Sequence, residues 1–92
     1  MLVTRRLRIR GRVQGVFYRG WSRDEALSLG LGGWVRNRSD GSVEMLIVGE
    51  EEFVAAMIER CRAGPPSARV ERIDVEDSGE VPTPGFELLP TL

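Results

Sequence analysis

Between Arg6 and Val13 the chain alternates without a break. Leu7, Ile9, Gly11 and Val13 hold one phase and Arg6, Arg8, Arg10 and Arg12 the other. A period of two belongs to a β-strand with one dry and one wet face. The alternation stops at Gln14-Gly15-Val16, and Tyr18, Ser22, Ala26 and Leu29 then recur at helical intervals. A strand, a turn and a helix are therefore predicted in that order, with Gly30 as the helix stop.

Gly32 to Asn37 reads as a second strand and Val43 to Val48 as a third, joined by the Ser39-Asp40-Gly41 turn into an antiparallel hairpin. Glu50, Glu51 and Glu52 place negative charge where a helix N-terminus favours it, ahead of an apolar stripe of Phe53, Val54, Met57, Ile58 and Cys61. Gly64-Pro65-Pro66 ends that second helix. Arg69 to Glu76 is the fourth strand, with Ile73 and Val75 inward and Val70 one step out of phase, the mark of a bulge or a strand end. Phe86 to Leu89 offers a short additional edge strand. The order βαββαβ predicts an α+β, ferredoxin-like fold, a four-stranded antiparallel sheet with two helices on one face. At 92 residues and 41% hydrophobic content, one domain over residues 1–92 is expected.

Charge changes this picture only in part. Residues 1–46 carry nine arginines against four acids, whereas residues 47–92 carry four against ten. Such asymmetry fits an anion-binding face and fits equally a surface on which strands pair opposite charges. The residues that are missing say more. The chain has no histidine and no lysine, which excludes imidazole acid–base chemistry, a Schiff-base lysine and a histidine-ligated metal. Cys61 stands alone, so no internal disulfide forms, and its place in a helical stripe makes it inert packing. Trp21, Trp34 and Phe53 read as packing residues, and no carboxylate pair suggests an acid–base couple. No cofactor and no metal are expected. The single unpaired cysteine suits a reducing, cytoplasmic location; with neither an apolar leader nor a membrane-length apolar run, no membrane partner is expected, and the chain is expected to be a monomer.

The chemistry concentrates in Gly11-Arg12-Val13-Gln14-Gly15-Val16-Phe17-Tyr18-Arg19. A glycine-bearing turn running into a helix N-terminus presents unpaired amides to an anion. Arg19 adds a permanent charge with planar, two-pronged donors suited to a tetrahedral oxyanion. Taken locally, Arg19 reads as readily as a surface residue of the first helical turn, and Asn37 as a turn residue. The nine residues match the pattern G-x-V-Q-G-V-x-[FY]-R, and Gly33-Trp34-Val35-Arg36-Asn37 with Gly41-Ser42-Val43 and Gly49 forms a second block at matching spacing.

These blocks resemble the two signatures of the acylphosphatase family, and the likeness extends from Leu29-Gly30-Leu31 to Gly85-Phe86-Glu87. The resemblance implies hydrolysis of acyl phosphates, with a small-molecule substrate and no nucleic acid. By position it makes Arg19 the phosphate anchor and Asn37 the residue that orients water. The amide cradle then falls on Gln14, Gly15, Val16, Phe17 and Tyr18. Arg38 departs from the family, which often has a small hydroxyl residue there, and this implies altered rate or substrate preference. Two alternatives stand beside this reading. One is an RNA-binding ferredoxin-like module using the arginines of the first strand, although the third strand lacks stacking aromatics. The other is a domain that handles carbamoyl phosphate.

Overall fold

The computed structural model describes residues 1–92 as β1 (Leu2–Arg12), α1 (Tyr18–Ser28), β2 (Gly32–Asn37), β3 (Val43–Glu50), α2 (Glu51–Ala63), β4 (Arg69–Asp77) and β5 (Phe86–Leu88). The strands form one sheet in the order β4-β1-β3-β2-β5. The first four are antiparallel neighbours, with Leu7 opposite Met45 across β1 and β3 and Val35 opposite Met45 across β2 and β3. The expected four-strand sheet is corrected to five. The fifth strand runs parallel to β2, pairing Gly33 with Phe86 and Val35 with Leu88, because the chain returns to that edge through the proline-bearing loop after β4.

One face of the sheet is dry. Leu7, Ile9, Val35, Val43, Met45 and Ile47 pack there against Tyr18 and Ala26 of α1 and Val54, Met57 and Cys61 of α2. Both helices thus cover the same face, as the alternation requires. The out-of-phase Val70 is a true bulge: Gly11 pairs with Val70 and Arg10 with Arg72, so Glu71 is the extra residue. Gly11 takes φ +126° at that point, and a Cβ there would run into the Arg69 carbonyl, which makes glycine a requirement of the bulge.

Two packing expectations are corrected. Phe53 keeps 43% of its surface exposed and Val75 keeps 42%, since the first lies at the rim of α2 and the second on the edge strand. Cys61 is fully buried, and burial pushes its thiol up to about 12. No helix is long and apolar enough to cross a membrane.

The open face resolves the charge asymmetry. On it, arginines of β1 meet acids from the second half: Arg10 with Asp74 and Arg6 with Glu80. Glu44, 4% exposed, takes hydrogen bonds from Arg36 Nε at 2.9 Å and Arg38 Nη1 at 3.1 Å. Burial alone would raise its pKa, yet the Arg36 hydrogen bond and the charges of Arg36, Arg38 and Arg8 hold it below the ordinary carboxylate value. Trp34 is buried beneath the Arg36 guanidinium, 4.6 Å from the ring centroid, and donates to Glu80 at 3.1 Å. This face therefore presents paired charges and no open aromatic platform.

Candidate active site

Helix α1 begins in an unusual way. Phe17 precedes it in the left-handed conformation at φ +66°, with no side-chain cap, and its first turn holds no acid. Helix α2 follows the ordinary rule, with Glu51 and Glu52 in its first turn and Arg60 and Arg62 in its last. The first turn of α1 instead contains Arg19, the wrong charge for a free helix N-terminus and the right one beside a bound anion. Gly15 is also left-handed, at φ +74°. The two reversals fold residues 14–17 into a tight turn.

No backbone amide from Gln14 to Gly20 donates to another group of the protein. The first bond across the turn is Trp21 N to Phe17 O at 3.1 Å. The side chains of the turn divide by direction. Val16 enters the core, Phe17 stays 68% exposed with its ring over Gly20, and the buried Tyr18 donates its hydroxyl to the Cys61 carbonyl at 2.7 Å. Desolvation, with the Cys61 contact, raises the Tyr18 pKa. Gln14 reaches away from the turn, and its Nε2 donates at 2.8 Å to both the Arg38 and Ser42 carbonyls. The turn is thereby tied to the β2–β3 hairpin. That hairpin is set in turn by Asp40, which accepts from the Ser42 amide at 2.9 Å and the Ser42 hydroxyl at 2.6 Å and is held down to about 2 by these bonds.

Arg19 and Asn37 line one cavity of ≈ 300 Å³ together with Gly15, Phe17 and Tyr18. Arg12, Arg19 and Arg69 are the arginines that pair with no carboxylate, and of these only Arg19 lines this cavity. The Asn37 side chain makes no hydrogen bond, while its carbonyl accepts from Leu92 N at 3.1 Å. The cavity wall contains no acid. Arg38, one residue beyond Asn37, points to the opposite face of the sheet, toward Glu44. Its carbonyl, not its side chain, faces the turn.

The family profile described as Acylphosphatase matches residues 5–88. The chain belongs to the acylphosphatase family. An acylphosphatase of Rhizorhabdus wittichii is 50% identical over 90 residues, covering 98% of this chain and 91% of that one. The structure of an acylphosphatase from Coxiella burnetii superposes with a TM-score of 0.91 at 33% identity, over 96% of this chain and 93% of that one. The acylphosphatase crystal structure from Bacillus subtilis gives 0.90 at 37%, over 97% and 99%. Membership makes this chain an enzyme that hydrolyses acyl phosphates.

The cavity also contains residues that the sequence did not single out for chemistry. Arg23 and Leu88 both line it. Arg23 was legible in principle, because it lies four residues, about one helical turn, beyond Arg19. Leu88 was not, since only the parallel pairing of β5 with β2 brings it there. Gln14 does not line the cavity; its side chain is a strut to the β2–β3 hairpin.

Proposed function

We propose that acyl phosphates are cleaved here without a metal, the phosphate being held by the amides of residues 14–18 and by Arg19 while Asn37 orients the attacking water. The observation that carries this reading is one cavity lined by Gly15, Phe17 and Tyr18, whose amides make no hydrogen bond, by Arg19 with its unpaired guanidinium and by Asn37 with its unbonded carboxamide. The water oxygen bonds to phosphorus as the bond from phosphorus to the acyl oxygen breaks. The acyl group leaves as a carboxylate, and the protons of water remain with the phosphate. A carboxylate needs no protonation to depart, so a site without an acid suffices. Charge in the loose transition state lies on the equatorial oxygens, where the guanidinium and the amide dipoles stabilise it. Asn37 both donates and accepts, which suits it to holding a water in line.

The test is phosphate release from acetyl and benzoyl phosphate by the purified protein and two variants. Arg19→Ala is expected to lose about 10³-fold in turnover, together with competitive inhibition by phosphate. Asn37→Ala is expected to lose about 10²-fold in turnover and to keep phosphate inhibition. Chelators are expected to leave the rate unchanged. Equal loss of phosphate inhibition in both variants would remove the division of roles. Carbamoyl phosphate is itself an acyl phosphate, and its turnover relative to acetyl phosphate assigns the preference.

A further inference from the structure

The cavity holds a second cation with no part in the chemistry above. Arg23 lies on α1 four residues after Arg19, and both line the same wall. Like charges at this helical spacing repel, and no carboxylate lines the cavity to offset them. The ion pair of Arg23 is with its chain neighbour Asp24, at 3.4 Å, and uses Nε alone. The terminal guanidinium nitrogens of Arg23 therefore keep their N–H donors free.

Space points the same way. The cavity measures ≈ 300 Å³, at the lower end of the range for small-molecule sites. The remaining wall includes the exposed ring of Phe17 and the half-exposed Leu88, an apolar passage that a short carbon chain can follow.

Resting on the acyl phosphate reading, we propose that Arg23 determines specificity by receiving a second negative charge carried on the acyl group. The favoured substrates are then acyl phosphates whose short apolar stem ends in an anionic group. Arg19 holds the reacting phosphate and Arg23 the far end, so the repulsion between the two guanidinium groups is relieved when both are occupied.

Succinyl and butyryl phosphate test this directly, because both carry four acyl carbons and only the first ends in a carboxylate. Their kcat/KM ratio is measured for the wild-type protein, Arg23→Gln and Arg23→Glu, with thermal melts to establish that each variant is folded. The wild type is expected to prefer succinyl phosphate about fivefold at low salt, the upper range for a partly exposed ion pair. Arg23→Gln is expected to abolish the preference with butyryl phosphate turnover held within about twofold, and Arg23→Glu to invert it. In roughly 1 M salt, where the Debye length is about 3 Å, the wild-type preference is expected to fade. An unchanged ratio in Arg23→Gln, or equal losses on both substrates, would overturn the role of Arg23 while leaving the hydrolase intact. Failure of the wild type to hydrolyse either compound would instead sink the acyl phosphate reading itself.

Discussion

Tyr18 lines the cavity and donates its hydroxyl to the Cys61 carbonyl, so one residue couples the start of α1 to the last turn of α2. Its ring also meets Trp21 edge to face, with centroids 5.4 Å apart. Removing the hydroxyl leaves a buried helix-end carbonyl without that donor, a loss of about 1–3 kcal/mol. Tyr18→Phe is therefore expected to lower the unfolding free energy by that amount in a denaturant titration. The neighbouring Phe17 shows a different economy. A left-handed bulky residue is strained by about 1–3 kcal/mol, and the strain is held by Val16 and Tyr18, anchored in the core on either side.

Among the elements, the decisive contact is the strut from the turn to the hairpin. The Gln14 carboxamide spans the gap between the loop after β1 and the end of β2, where Asn37 sits. Each carbonyl it serves has another donor, Gly41 N for Arg38 and Arg38 N for Ser42. Gln14→Ala thus leaves no orphaned acceptor, and its stability loss is expected to stay near about 1 kcal/mol. Activity should suffer more, because loosening two converging elements by an ångström costs up to about 10²-fold. Comparing kcat/KM with the denaturation midpoint of this variant checks the split. Element order was legible from periodicity, and so were the bounds of β2, where neighbours in the chain are neighbours in the pattern; β1 begins four residues before its alternation does and β3 runs two residues past Val48. The parallel β5 was legible only as a short strand of unknown partner, since its three residues carry no period long enough to read.

Over the whole molecule, carboxylates are the groups whose titration governs acid stability. Asp40, held down to about 2 from an ordinary 3.8 by its Ser42 bonds, and Glu44, held below 4.5 against its own burial, both have depressed folded values. Asp74 is lowered too, chiefly by the Arg72 hydrogen bond. A depressed carboxylate stabilises the fold above its unfolded pKa, and that contribution disappears as pH falls through the folded value. Stability measured by denaturant midpoint is therefore expected to hold above about pH 5 and to fall between about pH 4 and 2. Activity follows a separate rule. The chain has no histidine, the side chain that ordinarily titrates between about pH 5 and 8. Once substrate ionisation is allowed for, kcat is expected to be flat across that range, and a bell-shaped profile would reveal an acid–base pair that the cavity does not contain.

Arg19 and Asn37 were singled out by the resemblance of two blocks to a family's signatures, and the chain alone determined the strand and helix order and the glycine-bearing turn. These are properties of spacing along a backbone, and spacing is what a sequence records. Tertiary structure decided the rest: that Arg38 turns to the open face to meet Glu44, that the arginines of β1 are matched by acids, and that Arg23 and Leu88 share a wall with Arg19. Each of these depends on which strands become neighbours and which face a side chain takes, and both are set by burial of the whole apolar face at once.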